Sequence, residues 1–382
     1  MTQPRDPVSA ATHADPYPYY AALTARQPFR FDPALKLWVV ADAASVAAVL
    51  CEPACRVRPA AEPVPAVLSG AAAGDVFRHL VRMTDGPAHD AMKCALMAVL
   101  SPLSDGYVSG LAWHCARQLL RGGESDIDRF IFALPVQAMA ALLGVPERHW
   151  PQVVTLTGDF VRGIAPGAGA EQVAAAHAAA AGLLEMLGML LSAGDPGRSD
   201  GLLWRLHEAA RREGCGDVDA VLANAVGLLM QAHDATAGLL GNALLQLRAQ
   251  PALRRQLAAD RDLLPDFLME VLRFDPPVQN TRRFAAADCD IAGRHIRAGD
   301  AILLLLAAAN RDPALNPQPD VFLLQREGRR LFTFGHGAHG CAGDRIAVAV
   351  AGAGIAAMLD ASTPMPVAYR ASSNARIPLF GR

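Results

Sequence analysis

Phe334-Gly335-His336-Gly337-Ala338-His339-Gly340-Cys341-Ala342-Gly343 is the stretch whose reading decides the fold. Two chemistries compete for it. Gly335, Gly337 and Gly340 satisfy G-x-G-x-x-G, and Asp360 follows Gly340 by twenty residues, as a dinucleotide-binding fingerprint would have it. That reading needs a parallel βαβ unit opening a doubly wound sheet. No clear strand follows the next helix, and the stretch lies late in the chain. The other reading centres on Cys341. A thiolate at the start of a helix is favoured by the partial positive charge there and by unpaired backbone N–H groups. Glycines on either side clear side chains from where a flat ligand would lie.

Outward from this loop the sequence is largely helical. Apolar periodicity marks Ala43–Leu50, an alanine-rich Val173–Leu183, Leu263–Phe274 and Ala342–Leu359. The longest candidate runs from Val218 to Ala249, with Asp217 or Asp219 as N-cap and Pro251 just past its end. Between Ala88 and Gly241 helices are broken at Ser101-Pro102, Gly122-Gly123, Ala165-Pro166-Gly167 and Asp195-Pro196-Gly197. Strand signals are few: Leu37–Val40 after Asp32-Pro33, a small hairpin over Asp290–Gly299, and the apolar Ala301–Leu306. The expectation is a mainly α chain with a minor β component. With no clean linker, residues 1–382 are expected to form a single domain.

Composition excludes several classes. Hydrophobic residues are 52% and charged residues 19%, too apolar for a disordered chain. Thirty-five basic against 37 acidic residues give a net charge of −2, so no nucleic-acid partner is expected. The longest charge-free runs, Ile131–Pro146 and Ala347–Leu359, fall short of the roughly 18 residues of a membrane span. The first residues lack the apolar core of a signal peptide. Seven scattered cysteines, an odd number, read as a reducing, cytoplasmic setting. Cys51 and Cys55 have no second pair to complete a zinc site.

Taken with its neighbours, the loop resembles the haem-binding signature of the cytochrome P-450 superfamily. Its pattern F-G-x-G-x-H-x-C-x-G is matched at every fixed position, by Phe334, Gly335, Gly337, His339, Cys341 and Gly343. Three further segments in the right order extend the resemblance to the soluble bacterial members over nearly the whole chain. It implies a fold that holds the haem between a long distal helix and a proximal cysteine loop. The cofactor implied is haem b (iron protoporphyrin IX), with Cys341 as the metal ligand donating electron density toward bound dioxygen.

Glu270 and Arg273, followed by Asp275-Pro276-Pro277, resemble the E-x-x-R pair, one helical face apart, that supports the cysteine loop. The family's third member is an arginine where this chain has Val321; Arg326 or another basic residue is left to compensate. For the two haem propionates the resemblance implies His89, Lys93, Arg283 and His339, with Lys93 in place of an arginine and Arg282 as a rival to Arg283.

Met230–Ala237 resembles the A-G-x-[DE]-T segment that organises protons for dioxygen cleavage. Asp234 aligns with the acid and Ala235 with the alcohol, so Thr236 falls one residue late, about 100° round the helix. An acid in an apolar helix needs a partner or a purpose, and proton delivery is the role expected of Asp234. Pocket walls are expected from Arg56–Gly74, Phe160–Gly169, Met230-Gln231, Val278–Thr281 and Ser372–Asn374.

The expected activity is hydroxylation or epoxidation of a small apolar or natural-product-like molecule. Electrons are expected from separate redox proteins, a ferredoxin-type donor with its reductase. Two alternatives stay open: the same fold with other haem chemistry (peroxide use, nitric oxide reduction, dehydration), or a non-catalytic haem sensor.

Overall fold

The computed structural model describes residues 3–121, 126–193, 201–359 and 365–381. Two of the expected helix breaks, Gly122-Gly123 and Asp195-Pro196-Gly197, and the fingerprint acid Asp360 lie outside these residues. The described residues are mainly helical with short strands. They fall into two compact units, one of residues 1–60, 237–341 and 355–382, the other of residues 61–236 and 342–354.

The first unit carries the β structure. Strands β1 (Phe29–Asp32), β2 (Leu37–Val40), β3 (Cys55–Arg56) and β4 (Thr281–Ala285) come first along the chain. The hairpin β5 (Cys289–Ile291) and β6 (Arg294–Ile296) follows, then β7 (Ala301–Leu304), β8 (Ala368–Tyr369) and β9 (Pro378–Leu379). Five strands make one sheet in the order β1-β2-β7-β4-β3, with β2 and β7 parallel and the other pairs antiparallel. Ala292 and Gly293 join β5 to β6 with φ of 49° and 74°, the left-handed pair of a two-residue hairpin turn. Val40, Val46, Val49, Ile302 and Leu304 pack one side of the sheet; Tyr20, Val39, Leu303 and Leu305 pack the other. Alternation along β2 and β7 therefore feeds two cores.

The second unit is helical. Ile127–Leu143 is buried nearly all round, started by Asp126, whose carboxylate accepts the Arg129 N–H at 2.9 Å, and stopped by Gly144 at φ 92°. Helices Trp150–Gly163 and Ala170–Ser192 approach closely at Gly163, where a Cβ would stand 2.2 Å from the Gln172 carbonyl oxygen. The expected break at Ala165–Gly167 separates them. The break at Ser101-Pro102 separates Pro87–Leu100 from Asp105–Leu120, which Ser104 caps.

The long helix runs Val218–Ala249 as its punctuation predicts, belonging to the helical unit through Thr236 and to the other from Ala237. Leu264–Phe274 follows a single 3-10 turn, and the last helix starts later than its pattern, at Asp344–Met358. Leu331–Phe334 is not a strand, so the glycine loop has no strand before it, which overturns the dinucleotide reading. One expectation was too strict. Ala170–Ser192 and Gly337–Met358 are long and apolar enough, by length and composition, to cross a membrane once up to two charges are allowed.

Candidate functional site: the cysteine loop, its brace and the long helix

The cysteine loop is wound by its own backbone. The Gly335 N–H donates to the Phe332 carbonyl at 2.8 Å, and the Cys341 N–H reaches back to the Phe334 carbonyl at 2.7 Å. Gly335 and Gly337 hold φ of 73° and 66°, and Cβ atoms there would meet the carbonyl oxygens of His339 and Leu50 at 3.0 and 3.3 Å. Two residues past the cysteine, a Cβ at Gly343 would meet open space. Cys341 itself is exposed, while Phe334 and His339 are half-buried. The turn thus offers an exposed thiol with glycine at four positions around it, Gly335, Gly337, Gly340 and Gly343.

The loop is held from beneath. Asn310, fully buried, receives the Phe332 N–H at 2.6 Å and donates to the Thr333 hydroxyl at 2.8 Å. Thr333 in turn donates to the Leu272 carbonyl at 2.6 Å. Leu272 lies on the Leu264–Phe274 helix, between Glu270 and Arg273. Arg311 donates to the Phe274 carbonyl and lies 3.5 Å over the Tyr17 ring. Sequence reasoning missed Asn310 and Arg311. The signal was there, a polar Asn310-Arg311-Asp312 run directly after nine apolar residues, Ala301–Ala309.

Glu270 and Arg273 are fully buried and form a two-pronged pair at 2.8 and 3.0 Å. The third cation left open by Val321 is supplied twice. Arg326 Nε donates to Glu270 Oε1 at 3.2 Å and Arg329 Nε to Oε2 at 3.1 Å. The Leu323 N–H adds a bond at 3.0 Å. Val321 contributes only its carbonyl, which accepts from Arg273 and Arg326. Burial pushes the Glu270 pKa up, but the Arg273 and Leu323 hydrogen bonds and the guanidinium charges bring it below its ordinary value.

Strand alternation separates the rival arginines: Arg283 is 6% exposed and Arg282 only half-buried, on opposite faces of β4. On the Pro87–Leu100 helix His89 is buried, with Nδ1 2.9 Å from Asp90 Oδ1, and Lys93 one turn on is half-buried. Val278–Asn280 and the Ser373–Ala375 turn, parts of two expected pocket walls, lie side by side: the Gln279 N–H donates to the Asn374 carbonyl at 2.8 Å and the Asn280 amide to that of Ser373 at 2.9 Å. Cys51 is exposed at a helix end and Cys55 buried on β3, beside Cys289. Phe160 is fully buried.

The middle of the long helix has one open stripe. From Val221 to Leu244 every residue is buried except Leu228, Gln231, Ala232, Asp234 and Ala235. Leu228, Gln231, Ala232 and Ala235 share one face at i, i+3, i+4 and i+7, and Asp234 flanks it, one turn on from Gln231. Ala235, where the alcohol was expected, lies on this face; Thr236 is 4% exposed and turned off it. Asp234 has the partner its setting demands: His233 Nδ1 stands 2.6 Å from Asp234 Oδ1, and the buried imidazole packs 5.0 Å from the Phe132 ring. Met230 is buried, so of the expected Met230-Gln231 wall only Gln231 opens.

The donor chemistry fits a thiolate-ligated dianionic group. An accessible thiol stands on a glycine-rich turn; in the same unit Arg283 is buried and His339 half-buried, and in the other unit His89 is buried and Lys93 half-buried. Among the described residues no cluster of three or more His, Cys, Asp or Glu side chains could hold a metal ion.

Comparison with known proteins agrees. A family model described as Cytochrome P450 matches residues 217–361. The 20-oxo-5-O-mycaminosyltylactone 23-monooxygenase of Streptomyces fradiae is 33% identical over 89% of this chain and 81% of its own. The monooxygenase PikC of Streptomyces venezuelae is 29% identical over 91% of this chain and 84% of its own. The crystal structure of CalO2 superposes with a TM-score of 0.86 at 26% identity, covering 99% of this chain and 98% of that one. P450BioI, in complex with an acyl carrier protein ligated to hexadec-9Z-enoic acid, gives 0.83 at 25% identity over 95% and 96%.

Proposed function

The chain belongs to the cytochrome P450 family, and from that premise we propose a monooxygenase that places one oxygen atom of dioxygen into a small apolar or natural-product-like substrate through haem b held by Cys341. The two named relatives act as monooxygenases, one on a mycaminosyltylactone, which favours a natural-product substrate. Each compact unit is assembled from discontinuous segments, which favours one catalytic domain over residues 1–382. Seven cysteines outside disulfides are in keeping with a cytoplasmic protein.

When bound, the haem supplies dioxygen activation. A substrate C–H bond, dioxygen, two electrons and two protons give an alcohol and water, the electrons coming from a ferredoxin-type donor and its reductase. The chain's own part is binding and proton traffic. Cys341 donates its sulfur as thiolate, its backbone fixed by the Phe334 carbonyl and the loop by the Glu270 brace. Phe334, Gly335 and Gly343 flank the sulfur without crowding it. His89, Lys93, Arg283 and His339 would take the propionates, Arg283 rather than Arg282 because it is the more buried of the two. Asp234 passes protons at its carboxylate oxygens to the open stripe, where Ala235 offers no hydroxyl.

The exposed thiol of Cys341 on its glycine turn carries this reading. Reduced protein exposed to carbon monoxide should show the red-shifted Soret band of thiolate ligation, and Cys341→Ala should lose it. Retention of the band in the variant would reject the assignment. Ala235 on the open stripe favours one second reading, peroxide use. Turnover with hydrogen peroxide alone that outpaces turnover with surrogate redox partners would establish it.

A further inference from the structure

The acid of the long helix has a buried imidazole beside it. His233 is 5% exposed and lies off the open stripe. Its Nδ1 stands 2.6 Å from Asp234 Oδ1. A carboxylate only accepts, so Nδ1 carries the proton of that bond. The plane of the ring is set by Phe132 on the Ile127–Leu143 helix, 5.0 Å between centroids and 30° from parallel. Nε2, on the other side of the ring, faces the Trp150–Gly163 helix at Gly158. A Cβ on Gly158 would stand 3.6 Å from Nε2 and 3.3 Å from Nη1 of Arg162. The missing side chain leaves a gap with an imidazole nitrogen on one side and a guanidinium on the other. Arg162 pairs with Asp159, and their side chains are 54% and 31% exposed. The far side of the gap therefore meets water.

An imidazole has two nitrogens able to hold a proton, and here they face opposite ways, one to the acid and one to the gap. A bond that merely steadies Asp234 uses Nδ1 alone and gives no reason for a glycine opposite Nε2. Glycine is a poor residue for a helix interior, and Gly158 stands well inside its helix. We infer that His233 is a positioning residue that passes protons from the Gly158 gap to Asp234. A proton enters at Nε2 from water while the proton on Nδ1 moves to Asp234 Oδ1. The ring keeps its charge, and the acid is reprotonated beside the open stripe. Asp234 then needs no water channel of its own, because the buried ring spans the packed layer between acid and surface.

This inference rests on the haem-thiolate reading and on the part given there to Asp234. The holoenzyme is supplied with dioxygen and with electrons from a surrogate ferredoxin and its reductase, and reductant consumption is followed in H2O and in D2O. His233→Asn keeps an amide N–H for Asp234 and removes the second nitrogen. Consumption should fall about tenfold, below the roughly 10²-fold loss of a positioned donor, and the solvent isotope effect should rise. Gly158→Ala leaves His233 and Asp234 in place, fills the gap, and should act in the same direction. A second readout needs no turnover. In 15N-histidine NMR of the reduced carbon monoxide form, exchange of the His233 ring N–H with D2O should slow severalfold in Gly158→Ala. Normal consumption in either variant, or unslowed exchange in Gly158→Ala, would overturn the relay. Where His233→Asn does not hold haem, the Gly158→Ala arm decides alone. The carbon monoxide band of the unmodified protein separates the failures. If present, the haem-thiolate reading stands and only the relay falls; if absent, both fall.

Discussion

The brace around Glu270 and the middle of the long helix both depart from the residues the family resemblance implies, and the two departures have opposite consequences. At the brace Val321 stands in place of an arginine, yet Arg326 and Arg329 both reach the Glu270 carboxylate. A guanidinium on a long stem can arrive from several positions of an irregular segment, so the charge is kept although its place in the sequence has moved. On the long helix the hydroxyl has moved by one residue, and there one residue is about 100°. Ala235 keeps the open face and Thr236 is buried off it. A loop forgives a shift that a helix does not.

The largest effect is expected at the brace. Glu270→Gln leaves three guanidinium groups around a neutral amide in a fully buried place, at a cost of about 3–5 kcal/mol. That is a large part of the roughly 5–15 kcal/mol that holds a folded protein. Arg326→Ala and Arg329→Ala should each cost less than the double variant, which should approach Glu270→Gln in urea unfolding. The pH dependence follows from the lowered pKa of Glu270. Its contribution is complete above the unfolded carboxylate value of about 4.3 and is lost as pH falls through the lower folded value. Wild-type stability should therefore drop on acidification below about pH 4, and Glu270→Gln should flatten that limb. An equal acid slope in both proteins would show that other carboxylates govern it.

The same contrast explains what could be read from the sequence. The Val218–Ala249 helix and the Leu37–Val40 strand were legible to the residue, because period and punctuation agree there. The cysteine loop was legible because its glycines and its thiol have separate physical reasons to be where they are. The brace was legible only in its helical half, Glu270 and Arg273. Which loop arginine completes it depends on where an irregular segment folds back, and no periodicity encodes that. Arg283 was told from Arg282 only by the alternation of β4. The seat of the Val81–Met83 turn on the long helix was not legible at its own residues: Asn224 accepts the Val81 N–H and Gly227 makes room for Leu80, both some 140 positions away. Asn224 donates and accepts from within an apolar helix, a signal that a partner segment must lie against it.

Asp234→Asn sharpens the helix side of the comparison and should have the next largest effect. The carboxylate flanks the open stripe with His233 bonded to one oxygen, so an amide keeps the shape and removes the proton carrier. Turnover should fall about 10²-fold, the loss typical of a positioned proton donor. Product formed against reductant consumed should fall with it. Near-normal turnover would assign Asp234 to a structural hydrogen bond with His233 instead.

The smallest effect belongs to Thr236, and it decides whether helix phase truly governs the site. Thr236→Val keeps the branched shape and removes only the hydroxyl. If that hydroxyl points away from the open stripe, as its burial indicates, the substitution should change the ratio of product to peroxide by less than about twofold, within the range of a change that touches no transition-state contact. Ala235→Thr supplies the complementary arm, since it returns a hydroxyl to the open face beside Asp234 and should lower peroxide release. A large uncoupling in Thr236→Val, with no gain from Ala235→Thr, would mean that the helix distorts during turnover and that Thr236 is the working alcohol after all. The comparison with the brace would then fail, because a helix would have forgiven the shift as readily as a loop.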